Sequence, residues 1–385
     1  MSISNRTLSK LWIVFFLTTF MSNYVQTYMI SNLFVIILFF LSLFYNTNKH
    51  TSITLKMISF LMILSIFDTC LVNIPYISIT SIESDFVLIG IFLISFAADR
   101  LYVPGQLYKL ISYNALPLVF LFLLGGIHIS EIGRINTALV NPNIKDVAYL
   151  LAFPCSLYLL LHKRINIYLG VSILICSLIL IMYSGSRKDF IFVIFTLLFN
   201  LKALKELFNR MSSFKKIFAY IGFATMSLFL IQQMIRTQEQ RFLANTTDSY
   251  LGKMQEEGSA LERVDYIKTS FRVSLDYPFG VGEGNIIPAI AKYGGIHCKL
   301  TKNVHSTLAQ SLFIGGFAGC LVLILYMTKI ILTSFRNFNR WFFIPLLLII
   351  SFFTMPLFVS KIYWVILVFF EKEIIYRDKC NDIIS

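Results

Sequence analysis

A dozen apolar runs, most of them close to the length that crosses a lipid bilayer, leave few folds open to this chain. A spanning helix needs about 20 mostly apolar residues. Such runs fall near 9–23, 28–45, 53–72, 86–99, 110–127, 146–162, 166–183, 188–201, 215–234, 305–328, 341–354 and 359–371. No soluble fold accommodates them: 57% of the 385 residues are hydrophobic and 14% charged, against roughly 45–50% and 25% in a water-facing domain. The expectation is an all-α polytopic membrane protein with about 12 transmembrane helices and one large, partly helical outer loop. It divides into spans one to nine over 1–234, the loop over 235–304, and spans ten to twelve with a tail over 305–385. The first run lacks a small-residue cleavage site and reads as a retained span.

Charge orients the spans. A formal charge of +13 would point to nucleic acid in a soluble protein, but Lys and Arg gather in the cytoplasmic loops of polytopic membrane proteins, so nucleic acid is excluded. With an inside N-terminus, nineteen of the 33 basic residues fall inside, among them Lys202, Lys205, Arg210, Lys215, Lys216 and Lys372. Only five occupy short outside loops, and the segment 73–85, with Glu83 and Asp85, holds none. The remaining nine lie in 235–304, where the rule has little force because long loops cross largely regardless of charge. Both termini are expected to be cytoplasmic. Cys70, Cys155, Cys176 and Cys320 fall in spans, Cys380 in the tail and Cys298 alone in the outer loop, so no disulfide within that loop and no C-x-x-C metal spacing is available.

The loop at 235–304 is close to 70 residues long, and a loop of that length in a compact protein is functional or disordered. This one carries signals of order. Ser259 and Glu262 match a capping box that opens a helix. Leu261, Val264, Lys268, Phe271 and Leu275 share one stripe of it, and Arg263, Tyr266, Ser270 and Ser274 another, as in an amphipathic helix of about five turns. Pro278 ends it, and Gly280, Gly282 and Gly284 follow in YPFGVGEGN. The plain reading of these glycines is a flexible turn. They follow a helix, whereas a dinucleotide fingerprint needs a strand before it.

Two further clusters stand at the outer boundary. His305, in KNVHSTLAQSLFIGGFAG, sits where the chain re-enters the membrane beside the basic loop; Gly315, Gly316 and Gly319 on the same helix form a small-residue face that lets a neighbour approach. The plain reading of His305 is a hydrogen-bonded interfacial anchor. In YSGSRKDF, Arg187 and Lys188 lie in a very short outer loop, against the orientation rule. Phosphate suits an arginine that offers two parallel N–H donors, while an ion pair with Asp189 or a lipid headgroup is the structural alternative.

The run GSRKDF after an apolar span, then ERVDYIKTSF leading into DYPFGVGEGN, then NVHSTLAQSLFIGGFAG at a helix start, resembles the polymerase and ligase family of bacterial O-antigen assembly. That family's pattern is a Ser/Thr-Arg step, a large periplasmic loop with an arginine before a helix ending in Pro-x-Gly-x-Gly, and a histidine ahead of a glycine-rich helix. GRINTALVNPNIKDVAYL is similar to the family's shorter loop, and the resemblance covers roughly 125–325. Ser306 stands where many members carry Asn after the histidine.

The resemblance implies an inverting glycosyltransferase at the periplasmic face of the bacterial inner membrane, using undecaprenyl-diphosphate-linked glycans and no cofactor. Its implied partners are the lipid-linked oligosaccharide and the bilayer, with a chain-length regulator and a flippase. Arg187 and Arg263 are the implied clamp for the donor diphosphate and His305 the general base for the acceptor hydroxyl. Arg241, Arg272, Lys188 and Tyr266 are implied substrate contacts. Polymerases vary greatly from strain to strain, which suits the weak match outside the motifs and Ser306; ligation of finished polymer to lipid A core is the alternative. A flippase or transporter shares the span count, with Asp68 in the third span as its polar residue, but gives no reason for an ordered outer loop.

Overall fold

The computed structural model describes residues 4–22, 28–45, 51–72, 79–113, 128–129, 135–136, 142–184, 187–209, 232, 251–296, 298–300, 304, 306–335, 341–354, 358 and 360–384. The chain opens with α1 (Asn5–Ser22), α2 (Tyr28–Phe44), α3 (Ile53–Leu71), α4 (Ile79–Arg100) and α5 (Leu107–Tyr113). A minimal antiparallel pairing of β1 (His128–Ile129) with β2 (Ile135–Asn136) follows. Next come α6 (Pro142–Leu161), α7 (Ile167–Ser184), α8 (Arg187–Phe199) and α9 (Leu201–Asn209). The last group is α10 (Leu251–Asp276), α11 (Ile286–Tyr293), α12 (Thr307–Phe335), α13 (Phe343–Thr354) and α14 (Lys361–Ile384). The described residues are thus all-helical apart from that pairing. Among them, α3 and α12 are the two helices long and apolar enough to cross a membrane by those criteria alone. Most of spans 110–127 and 215–234 lies outside the described residues.

α14 is the axis of the bundle. From Ile362 to Phe370 every side chain is buried, with Tyr363 to Phe370 fully enclosed. A helix that is apolar all round is stable only when neighbours cover it on all sides, and α3, α4, α5 and α1 supply that cover, the last through Trp12, whose ring meets Phe369 edge-on at 5.1 Å.

Three expected boundaries move. α4 starts at Ile79, so Glu83 and Asp85, expected in an outer loop, are helical, and Asp85 is buried at 5% exposure. Its burial is tolerable because the Ser65 hydroxyl donates to its Oδ1 at 2.8 Å. α10 starts at Leu251, so Ser259 and Glu262 lie inside a helix and do not cap its start. α14 continues to Ile384, which brings Glu371, Lys372 and Glu373, expected as span end and tail, into the protein.

These three charges close one end of the bundle by satisfying backbone groups that a helix start leaves free. The Glu371 carboxylate accepts the Ile53 and Thr54 N–H groups at 2.8 and 3.2 Å, and the Thr54 hydroxyl at 2.9 Å. A carboxylate at a helix N-terminus also meets the positive end of the helix dipole. Asp99 accepts the Ser52 N–H at 2.7 Å and pairs with Lys372 Nζ at 3.0 Å, both side chains almost fully buried. Glu373 accepts the Gly105 N–H at 2.6 Å. Removing one partner of a buried pair strands the other, at about 3–5 kcal/mol. Lys372→Ala is therefore expected to lower the thermal unfolding midpoint of the purified protein sharply. The Lys372→Met, Asp99→Asn double variant, which neutralises both partners, is expected to recover most of the loss; equal midpoints for wild type and Lys372→Ala would contradict the role of the pair.

Candidate functional site

At the opposite end of the bundle, α10 lies along the first part of α12. Its two stripes are real, but their burial is the reverse of a soluble amphipathic helix. Leu261, Val264, Phe271 and Leu275 are exposed by 45–63%, together with Lys268, while Tyr266, Ser270 and Ser274 are fully buried. The polar stripe faces inward because it has partners there. Ser274 Oγ donates to Leu312 O of α12 at 3.2 Å. The Tyr266 hydroxyl accepts the Lys299 N–H at 3.1 Å, and its proton lies between Lys299 O at 2.9 Å and Glu262 Oε1 at 3.1 Å. Burial, reinforced by the Glu262 carboxylate, pushes the Tyr266 phenol well above its usual pKa, so it stays a neutral donor. Lys299 Nζ closes this group with an ion pair to Glu262 Oε2 at 3.4 Å.

Arg263 stands one turn before Tyr266. Its side chain is half-buried, and its Nε is buried with no hydrogen-bond partner among the described residues. A buried guanidinium N–H without an acceptor is costly, so the position suits an acceptor from outside the described residues. Arg272 is exposed on the other side of α10, away from the buried stripe.

The segment after α10 is not the flexible turn that its glycines suggest. It is seated in a break in α12, where Gly315 (φ −129°, ψ 15°) and Gly316 (φ 55°, ψ −148°) leave helical geometry. Val281 N–H donates to Phe313 O at 2.8 Å, and Phe317 N–H, which a regular helix would aim at Phe313 O, donates to Pro278 O at 2.9 Å. A break in a long apolar helix is tolerated where other protein groups re-satisfy the backbone in this way. Gly315 and Gly319 do meet a neighbour, approaching Leu64 and Leu61 of α3, whereas Gly316 makes the break.

The same segment ends in a 3₁₀ turn, Glu283–Asn285, held between α3, α4 and α12. Glu283 N–H donates to Ser65 Oγ at 2.9 Å, whose proton goes on to Asp85, so one hydroxyl links the turn to two helices. The Glu283 carboxylate accepts Gln310 Nε2 at 3.2 and 3.3 Å, and Asn285 Nδ2 donates to Val281 O at 2.9 Å. Gly282 approaches Thr69 so closely that a Cβ there would overlap its hydroxyl. Asp68, beside Thr69, is buried, and its Oδ2 lacks a partner among the described residues. Sequence reasoning missed Ser65, Asp85, Glu283 and Gln310. Their single signal was Glu283 between two glycines.

His305 and Arg241 lie outside the described residues. The residues flanking His305 are fixed. Val304 is fully buried in an apolar cluster with Tyr266, Val273, Val281, Ile290 and Phe313. Ser306 Oγ accepts the Ala309 N–H at 3.3 Å, the N-cap geometry that starts α12, and donates to Phe352 O of α13 at 3.2 Å. Ser and Asn are both strong N-caps, so the departure from Asn at this position keeps the capping function. The cluster therefore ties the turn of α10 that follows Arg263 to the segment on the N-terminal side of His305. Arg187 and Lys188 open α8, described there by its backbone. α8 packs on α13, and Phe199 at the end of α8 meets Phe342, just ahead of α13, at 5.2 Å.

The described residues thus form a helical bundle carrying an ordered helical cap, seated in a broken helix that is long and apolar enough to span a membrane. Residues 148–324, just under half of the chain, match the family model described as O-antigen ligase. By this match that segment, which holds α10, the seated turn and the start of α12, is similar to O-antigen ligases. No curated protein and no solved structure matches the chain.

Proposed function

We propose that the protein is an O-antigen polymerase, moving a growing glycan from undecaprenyl diphosphate onto a lipid-linked repeat unit at the periplasmic face of the inner membrane. In this reading the chain makes about twelve spans with both termini cytoplasmic, and works beside a flippase and a chain-length regulator. The observation that carries it is Arg263, a half-buried cation on an ordered helix with a buried N–H that the described protein leaves without an acceptor. A diphosphate oxygen supplies that acceptor, in the geometry arginine serves best.

The chemistry asks little else of the protein. As the acceptor hydroxyl attacks the anomeric carbon, the new C–O bond forms and the bond to the diphosphate oxygen breaks with inversion. Arg187 and Arg263 stabilise the charge that develops on the departing diphosphate, which is where preorganised donors contribute most. His305 takes the proton of the attacking hydroxyl, a task suited to an imidazole neutral near pH 7. Arg241 and Lys188 contact phosphate or sugar, whereas Arg272 is exposed on the side of α10 away from Tyr266 and is left out of the site. Tyr266 acts on the substrate through position, since its hydroxyl holds the 298–300 segment against α10.

Deleting the gene tests polymerase against ligase. The expected lipopolysaccharide gel shows core carrying a single repeat unit, restored to a ladder by the wild-type chain. Bare core with polymer stranded on its lipid carrier would make the protein the ligase, and an unchanged ladder would remove both readings.

A further inference from the structure

No described residue covers the outward stripe of α10, although α10 belongs to the segment between spans. Leu261, Val264, Phe271 and Leu275 stand 45–63% exposed along one face, and Phe279 beyond the helix end is 63% exposed. Contiguous apolar surface of this kind marks a contact with something apolar. Its geometry identifies the contact. Phe271 meets Phe317 of α12 edge-on at 5.3 Å. From Phe317 the exposed apolar face continues down α12 through Leu321, Leu325 and Leu332 to Phe335, on one of the two helices long and apolar enough to span.

Lengths place the junction in depth. α12 has 29 residues, about 43 Å at 1.5 Å per residue, which exceeds a hydrocarbon core of about 30 Å. The part after the break, Phe317–Phe335, is about 28 Å long and fills the core by itself. The break at Gly315–Gly316, and the end of α10 seated against it, then fall at the boundary between acyl chains and headgroups. Lys268 and Arg272, both exposed beside the stripe, stand where long basic side chains reach lipid phosphates while their stems stay in apolar surroundings.

We propose that α10 is an interfacial helix, its Leu261–Val264–Phe271–Leu275 stripe immersed in the outer leaflet and its Lys268 and Arg272 on phospholipid headgroups. This explains the inverted burial of its two stripes: the apolar side faces lipid and the polar side faces protein. Helices of this type bury their apolar face about 5–10 Å into the headgroup and acyl boundary. The inference rests on burial and length and is independent of the glycosyl-transfer reading.

The test places p-benzoyl-phenylalanine at Phe271, at Leu275 and at Val264 in separate full-length chains, purified into nanodiscs of phosphatidylethanolamine and phosphatidylglycerol. Lys292, exposed on α11, carries the same probe as a control. Three positions keep the test intact if one substitution disturbs folding. After ultraviolet irradiation, the expected product at the stripe positions is the chain plus the mass of one phospholipid, with none at Lys292. A crosslink to a second copy of the chain would make the stripe a protein interface and overturn the proposal. Unlabelled chain at all three positions would mean that the stripe faces water, with the same consequence.

Discussion

Arg263→Ala is expected to cut chain extension about 100-fold or more while the protein stays folded in the membrane. Loss of one preorganised donor to a developing negative charge costs roughly 2.7–4 kcal/mol of transition-state stabilisation. The fold has little reason to suffer. α10 is held by Tyr266, Ser274 and the Glu262–Lys299 pair, none of which involves Arg263. Removing a buried N–H with no protein partner among the described residues relieves a cost and adds none. Arg263→Lys is expected to fall between, because it keeps the charge and loses the planar fork that grips two oxygens. The measurement is the lipopolysaccharide ladder of a deletion strain carrying each variant, with membrane protein level by immunoblot. Arg187→Ala and His305→Ala are expected to match Arg263→Ala, and the triple variant to be scarcely worse than any single one, since residues that act as a unit lose their effect together. Full-length polymer from all three single variants would end the assignment.

What the sequence makes legible here is periodicity, and what it hides is which neighbour each face meets. The two stripes of α10 follow from residue spacing alone, since residues three and four apart share a side. Which of them is buried depends on whether the medium opposite is water or lipid, and an apolar stripe is compatible with a protein core or an acyl chain alike. The expected capping box at Ser259 and Glu262 fails because the helix already starts at Leu251; Glu262 instead meets Tyr266 one turn on and Lys299, a distant contact that no local pattern announces. Lys372 counted as a cytoplasmic base because charge at the end of an apolar run marks an interface in most chains. Here the run continues as a helix, and Asp99, on another helix, makes burial affordable. Of the site, Arg263 and the glycine segment were legible as motifs. The carboxylate, amide and hydroxyl set of Ser65, Asp85, Glu283 and Gln310 comes from three helices and a turn, and it appears only once the turn is seated.

That seat makes Gly316→Ala one of the most damaging small substitutions expected among the described residues. At φ 55° and ψ −148° the Gly316 backbone lies in a region that side-chain-bearing residues rarely enter, at a strain of about 1–3 kcal/mol. Its Cβ would also overlap Pro278 O, a backbone atom that cannot turn aside. Relief requires the Pro278–Val281 segment to withdraw. Withdrawal breaks the Val281 N–H to Phe313 O and Phe317 N–H to Pro278 O bonds, and each buried group left unpaired costs about 1–3 kcal/mol. It also pulls on the Glu283 turn that α3 and α12 hold. Several such costs together approach the whole stability margin of a folded domain, about 5–15 kcal/mol. Gly319→Ala on the same helix is the control. Its Cβ would come no closer than 3.2 Å to Leu61 Cδ2 and 3.3 Å to Ser311 O, a squeeze that a leucine side chain absorbs by a small rotation. The expected result is that Gly316→Ala loses most of its folded protein and its polymer ladder. Gly319→Ala is expected to keep both within about twofold, because the alanine methyl adds little to a helix face that already packs against leucine. Equal unfolding midpoints and equal ladders for the two variants would show that the break in α12 does not hold the cap in place.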